Sequence, residues 1–341
     1  MRSLYMCCHL DNMTGYGQQN CQFINGFQQA GLQVSAFATG LADRPEPLPP
    51  YVANCMVKVP QPYPVFLVQP PTFRPESKVI NRVWFIVWET TRLDPKWVKT
   101  IDQSSAIVTP SQWNASCFSA SGVDAPIYHV PLFTLPGYEY RAPVRKDKFV
   151  FGCAGHLNGQ AGRKNLTTAV QAFEQAFPKN DDVELHIKVG QYDHVDMPDD
   201  KRIVVLKGHI PTAAMSDWYA GLDVFVHPSK SEGWGFQPLQ AMATGRAVIA
   251  CKYGGVAEYF DSAVGLETSF GYQPAQDMYF EHGHWAEPSV DSLAENMLYA
   301  YSHQGEMYRL GENGSNRAKM FTLENTMKKL VPILEKHGVI I

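Results

Sequence analysis

Residues 223–260 read DVFVHPSKSEGWGFQPLQAMATGRAVIACKYGGVAEYF. Val224 to His227 is a short apolar run stopped by Pro228-Ser229. A Gly-containing turn around Glu232 follows, and then apolar residues at Phe236, Leu239, Met242 and Ala243 with helical spacing. Thr244-Gly245 is a helix stop, and Ala247 to Cys251 is the next short buried strand. Strand, loop, helix and strand in this order form a βαβ unit of a parallel sheet, whose ligands sit where strands end and helices begin.

The turn Ser231 to Pro238 puts the Glu232 carboxylate on a surface-facing mouth, together with Gly233, Gly235, Phe236 and Gln237. Backbone N–H groups at a helix N-terminus suit phosphate or sugar oxygens. Gln240, eight residues after Glu232, falls in the first turns of the helix and can reach the same ligand. A capped tight turn with no ligand is the alternative.

The segment resembles the donor-sugar motif of GT-B glycosyltransferases, in particular the retaining family 4-like group. There a strand ending in Pro-Ser precedes Glu-Gly-x-Gly, and a second Glu lies eight residues after the first. Pro228-Ser229, Glu232-Gly233, Gly235-Phe236 and the later Gly254-Gly255 with Glu258 fall in place. The resemblance implies that Glu232 holds the donor sugar. Gln240 stands where the family's second Glu holds the ribose; it can still accept and donate hydrogen bonds, without a carboxylate's charge.

The 341 residues, 45% of them apolar, are enough for roughly two domains. Net charge is −4, with residues 1–145 slightly positive and 146–341 negative, and neither half is a polybasic nucleic-acid surface. The seven cysteines include no Cys-x-x-Cys pair, which points to reduced thiols in a cytoplasmic protein. The start shows no secretory signal, and no apolar run reaches membrane-spanning length.

In the first half, Ser3 to Leu10 reads as a strand, Asp11 to Gly17 as a loop and Asn20 to Gly31 as a helix. Gly15, Tyr16 and Gly17 therefore approach a phosphate, and the resemblance gives the same role to this loop; a plain βα turn is the alternative. Ten prolines between Pro45 and Pro75 exclude a helix and most central strand positions there, predicting a long irregular excursion. Val83 to Trp88 is a buried strand that ends at Glu89. The family carries an acceptor-side or catalytic polar residue after the corresponding strand, which makes Glu89 a second catalytic candidate; a salt-bridge or capping Glu is the alternative. Trp88 and Arg92 belong to a basic and aromatic series with Arg74, Lys78, Arg82, Trp84, Lys96, Trp97 and Lys99. Such interleaving can grip an anionic acceptor, a nucleic acid included, or make an ordinary solvated face.

In the second half, Phe149 to Gly155 is a fresh strand and Leu157 to Gly162 a polar loop. Asn165 caps a helix with Leu166, Val170, Phe173 and Phe177 on one face. Arg163 and Lys164 just before that helix can neutralise a diphosphate. The resemblance implies that Lys164 contacts the donor phosphates, with Arg163 substituting for an Arg whose place is taken by His156. Residues 261–285 are aromatic and unassigned, and Leu323 to Lys336 is an amphipathic helix interrupted by Pro332.

The expectation is an α/β chain of two doubly wound Rossmann-like domains facing a cleft (GT-B). Residues 1–145, with 323–341 packing back on them, would bind the acceptor, and 146–322 the nucleotide-sugar. The implied reaction is a retaining transfer from a nucleotide-diphosphate sugar to an acceptor hydroxyl, without cofactor. No Asp-x-Asp occurs, so Arg163, Lys164 and backbone amides would meet the phosphate charge with no metal. A transferase acting on hydroxylated bases of DNA and a non-catalytic nucleotide-sugar binder remain open; a glycosidase lacks the required carboxylate pair.

Overall fold

The computed structural model describes residues 2–11, 14–39, 47–60, 64–71, 81–144, 146–155, 157, 161–193, 197–276 and 280–341. It divides into two units, Met1–Leu135 with Phe321–Ile341, and Pro136–Met320.

The first unit alternates strands and helices: β1 (Ser3–Cys8), α1 (Gly15–Gln29), β2 (Gln33–Ala38), α2 (Pro50–Ala53), β3 (Val65–Val68), β4 (Arg82–Phe85), α3 (Pro95–Ile101), β5 (Ala106–Thr109), α4 (Gln112–Ala120) and β6 (Ile127–His129). All pairings are parallel, in the order β2-β1-β3-β4-β5-β6. β3, β4 and β5 are buried at every residue, as strands covered on both faces must be. Phe23 and Phe27 of α1 pack on Phe66 of β3, and Phe23 also meets Phe85 of β4 and Phe133, with ring centroids 5.3 to 5.9 Å apart.

Two expectations need correction in this unit. The first is the start of α1. Thr14 caps the helix, its Oγ1 accepting from the Gly17 N–H at 3.0 Å, so Gly15, Tyr16 and Gly17 form the first turn rather than a loop. The second is the proline-rich stretch. Pro50 opens the short helix α2, where its missing N–H costs nothing, and the Pro-free run Val65–Val68 lies inside the sheet between β1 and β4. Residues 45–46, 61–63 and 72–75 of that stretch, and 76–80 beyond it, fall outside the described residues, Arg74 and Lys78 among them.

The second unit comprises β7 (Phe149–Gly155), α5 (Ala161–Lys164), α6 (Leu166–Ala176), β8 (Val183–Val189), β9 (Ile203–Lys207), α7 (Thr212–Ala220), β10 (Val224–His227), α8 (Phe236–Ala243), β11 (Ala247–Ala250), β12 (Gly265–Glu267), β13 (Phe270–Pro274), β14 (His284–Pro288), α9 (Val290–Ser302) and α10 (Gln304–Ala318). Six strands pair in parallel as β12-β11-β10-β7-β8-β9. Counted from the start of the unit, that is the order 3-2-1-4-5-6 of dinucleotide-binding sheets, read from the opposite edge. The order reverses between β7 and β10, so the crevice lies at the carboxyl ends of those two strands. Phe149, Phe151 and Ile187 of the sheet share a buried core with Phe173, Met297 and Leu310 of the covering helices.

Residues 136–144 belong to this unit, which moves the expected division at residue 145 toward the N-terminus. Tyr138 packs edge-on against Tyr219 at 5.9 Å, Arg141 pairs with Asp217 at 2.5 Å, and Arg246 donates to the Arg141 carbonyl. The unassigned segment 261–285 contains β12, the whole of β13 and the first residues of β14, the last two paired as an antiparallel hairpin. The final helix, α11 (Leu323–Lys336), returns to the first unit and runs on through Pro332. Gly26 of α1 makes room for it, since a Cβ there would stand 2.8 Å from Met327.

Candidate functional site

The crevice of the second unit collects the charged residues singled out in the sequence. α5 ends at Lys164, and the chain reverses at Asn165, the one described non-glycine residue with positive φ (55°). The cost of that conformation is offset by local bonds: the Asn165 amide donates to the Pro228 carbonyl at 3.2 Å, and its oxygen accepts from Thr168 Oγ1 at 2.9 Å. Asn165 is therefore a hinge between two helices; its side chain makes no N-cap bond to α6. The hinge aims Arg163 and Lys164 at the loop after β10. There Glu232 Oε1 accepts from Lys164 Nζ at 2.7 Å and from Ser229 Oγ at 2.7 Å, while Oε2 pairs with Arg163 at 3.1 Å. Arg163 also donates to the Ser231 carbonyl at 2.7 Å.

Glu232 is 7% exposed, so the expected surface-facing mouth is corrected to a buried cluster. Gly254 and Gly255 pass directly over the loop. Gly255 N–H donates to the Glu232 carbonyl at 2.7 Å, and a Cβ on Gly254 would sit 2.6 Å from the same oxygen. Any side chain at 254 would push this strap off the site.

Burial by itself would raise the Glu232 pKa, but the charges of Lys164 and Arg163 outweigh it and hold the carboxyl well below the usual carboxylate range. His227, at the end of β10, has its Nε2 3.9 Å from Glu232 Oε1. Burial pushes its imidazole down from 6.5 to about 4 against the pull of Glu232, so it is neutral at physiological pH. Two cations, one carboxylate and a neutral imidazole leave the cluster net positive, which fits an anionic ligand with hydroxyl groups.

Beside this cluster, Gly235 (φ 85°) is the N-cap of α8 and, having no side chain, gives the first N–H groups of the helix no cap bond. Tyr259 donates to the Trp234 carbonyl at 3.2 Å and braces the buried turn of Gly233 and Gly235; Phe236 and Gln237 are half-buried in the first helical turn. Gln240 is drawn elsewhere. It is buried, and its amide oxygen accepts from the Tyr219 hydroxyl at 3.1 Å. Among the described residues no group of acidic, His and Cys side chains could hold a metal ion.

In the first unit, Tyr16 links the start of α1 to the end of β4: the Val87 N–H donates to its hydroxyl at 3.3 Å. Burial and nearby Glu89 raise that phenol far above its ordinary value. Gly15 is exposed, and Gly17 lies tight against Asp11, whose carboxylate accepts from the Thr14 N–H at 2.6 Å. Glu89 is half-buried and Arg92 exposed. Trp88 is a strut rather than a platform: it is 3% exposed, and its indole N–H donates to Thr90 Oγ1 and the Arg92 carbonyl, each at 2.9 Å. Nor do the described members of the basic and aromatic series form one face. Trp84 is wholly buried, and the buried Arg82 donates to Ser104 Oγ at 3.0 Å, because β4 is an interior strand.

Sequence reading passed over three contributors. His227 was absorbed into an apolar run, although a polar residue ending a buried strand is a signal. Ser229 reads in the sequence only as part of the Pro-Ser that ends a strand. The role of Asp11 depends on Thr14 and Gly17 meeting it after the chain turns. His156 and residues 158–160 of the expected phosphate loop lie outside the described residues.

Residues 148–301 match the family described as Glycosyl transferases group 1. The lipopolysaccharide core biosynthesis mannosyltransferase LpcC of Rhizobium leguminosarum bv. viciae is 27% identical over 184 residues, covering 48% of this chain and 49% of that protein. The chain spans half or less of the length of the curated relatives it matches. Among solved structures, sucrose-phosphate synthase from Thermosynechococcus elongatus superposes with a TM-score of 0.73 at 14% identity, covering 98% of this chain and 99% of that one. Anabaena Alr3699/HepE, solved in complex with UDP-glucose, gives 0.69 at 15% identity over 98% and 100%. At these identities the likeness speaks for the fold, two parallel α/β units of the GT-B type.

Proposed function

We propose, from the membership of residues 148–301 in the glycosyl transferases group 1 family, that the chain transfers a sugar from a nucleotide-diphosphate sugar to an acceptor hydroxyl with retention of anomeric configuration and without a metal ion. The observation that carries this reading is the buried Glu232 held between Arg163 and Lys164 at the crevice of β7 and β10. Sugar hydroxyls donate to the ionised Glu232, and the two cations turn to the diphosphate. The bond from anomeric carbon to phosphate oxygen breaks, and the bond to the acceptor oxygen forms on the same face. The acceptor proton passes to the leaving phosphate, whose charge Arg163, Lys164 and the uncapped first turn of α8 stabilise. Gly15, Tyr16 and Gly17 are the first unit's phosphate-side candidates, and Glu89 and Arg92 its acceptor-side candidates. None of the seven cysteines is in a disulfide, in keeping with a cytoplasmic setting, and no helix among the described residues is long and apolar enough to cross a membrane.

HepE was solved with UDP-glucose and LpcC is named a mannosyltransferase, so UDP-glucose and GDP-mannose are the first donors to try. The test is nucleotide release from each donor in EDTA, with the product anomer read by proton NMR. Release unaffected by EDTA and a product of unchanged configuration are expected. Release that depends on added divalent metal, or an inverted product, overturns the mechanism; donor binding without any release makes the chain a nucleotide-sugar binder.

A further inference from the structure

β13 and β14 belong to neither six-stranded sheet. Tyr272 stands opposite Ala286 and Pro274 opposite His284, which sorts the hairpin's side chains onto two faces. The face with Trp285 and Glu287 is tied down. Trp285 is 2% exposed and packs on Phe280, while Glu287 pairs with Lys230 at 2.7 Å. The other face carries Phe270, Tyr272 and Pro274 with His284, Ala286 and Pro288, and Tyr253 joins it from the loop after β11, its hydroxyl donating to the His284 carbonyl at 3.4 Å. The rings of Tyr253, Phe270 and Tyr272 form a triangle with centroids 5.4, 5.9 and 5.6 Å apart, two of its sides edge-to-face. Mutual edge contacts of this kind fix ring orientation. The outermost ring is left in the open, Tyr272 being 68% exposed.

This aromatic face is continuous with the Glu232 loop at two points. Tyr253 immediately precedes Gly254-Gly255, which strap Glu232, and the Ala286 N–H donates to the Lys230 carbonyl at 3.0 Å. We infer that the Tyr253, Phe270 and Tyr272 face is a subsite for a neutral carbohydrate acceptor, seating a pyranose ring on Tyr272 beside the donor. The inference rests on the glycosyltransferase reading. A pyranose presents an apolar C–H face, which an aromatic ring covers, and a rim of hydroxyls, with which tyrosine hydroxyls exchange hydrogen bonds. Among the described residues of β13 and β14, this face carries no Asp, Glu, Lys or Arg, and His284 at its edge is its one basic side chain; a face without a permanent charge suits a neutral ligand better than a phosphate or an acidic polymer.

The test is saturation-transfer NMR on the full chain with maltose, cellobiose, lactose, mannobiose and chitobiose. Wild type should give transfer to the ring protons of at least one disaccharide. Tyr272→Ala should weaken that binding about five- to tenfold, the scale of one aromatic contact, and Tyr272→Trp should restore it. Thermal shifts with UDP-glucose and GDP-mannose should be the same in all three proteins, which also shows that the variants fold. No transfer to any disaccharide, or transfer indifferent to Tyr272→Ala, overturns the subsite. So does cosedimentation with phosphatidylglycerol vesicles that Tyr272→Ala abolishes, which would make the face a membrane anchor. A wild type that answers to no nucleotide-sugar at all overturns the donor reading, and the disaccharide signal is read independently of that result.

Discussion

His227 gives the second unit a pH dependence that can be worked out from its surroundings. The imidazole is 4% exposed and faces Glu232, Lys164 and Arg163. Burial lowers its pKa from 6.5 to about 4. A base with a depressed folded pKa is less protonated in the folded than in the unfolded chain between those two values. Its contribution is therefore complete above 6.5 and is lost as the pH falls toward 4. The full difference is about 3 kcal/mol, of which about 2 kcal/mol is gone by about pH 5. Glu232 stays ionised in the folded chain throughout this window; in the unfolded chain its carboxyl takes up protons only toward the foot of the window, and that slope is common to wild type and variant. His227→Gln keeps a polar side chain near the Nε2 position and removes the titration. Urea unfolding of wild type and variant, followed by tryptophan fluorescence at about pH 7.5 and about pH 5, isolates the residue, because every other histidine is common to both. Wild type should lose about 2 kcal/mol more than the variant between the two conditions. Equal losses would refute the assignment of a buried, neutral His227.

The same cluster sets the outcome of three further substitutions. Glu232→Ala should abolish nucleotide release and lower unfolding stability by about 3–5 kcal/mol, because it strands Arg163 and Lys164 without their counter-charge; a fully stable variant in urea would contradict the buried pairing. Lys164→Ala, measured by calorimetric titration with the preferred nucleotide-sugar, should weaken donor binding by about 1.5–3 kcal/mol, and an unchanged affinity would remove Lys164 from the phosphate site. Gln240→Glu should change donor affinity by no more than about 1–2 kcal/mol, since the Tyr219 hydroxyl can donate to either side chain; conversion of an inactive protein into a working transferase would instead mark the native chain as a binder.

The architecture was legible where one residue pattern had one physical reading. Apolar runs such as Phe149–Gly155 and Val183–Val189 coincide with strands, and the spacing of Leu323–Lys336 gives its helix residue for residue. The start of α1 was not legible, because a cap at Thr14 depends on a hydroxyl reaching the Gly17 N–H, and Gly-Tyr-Gly favours a turn in isolation. Proline density misled because it was taken as an average over thirty residues, whereas Val65–Val68 needs only four free of proline. At the site, the partners Glu232, Arg163 and Lys164 were each visible, yet burial of the carboxylate was not: the glycines that cover it come from Gly254-Gly255, more than twenty residues on. Trp88 and Trp84 show the converse, since aromatic residues beside cations look the same whether the strand bearing them is interior or exposed.

The route of the chain has a consequence for how the molecule is made. Residues 136–320 are contiguous, so during synthesis that unit has its whole sheet and all its covering helices before α11 exists. The first unit does not. Its α1 waits for Met327, and the carbonyl of Pro131 for the Thr326 hydroxyl, which donates to it at 2.8 Å. At the head of β1, Ser3 and Ile341 exchange backbone hydrogen bonds at 2.6 and 3.0 Å, joining residues more than three hundred positions apart. Closing so long a loop is slow. The unit translated first is therefore completed last, and the α1 face at Gly26, which Met327 and Leu323 cover, stays open through the interval in which the other unit folds.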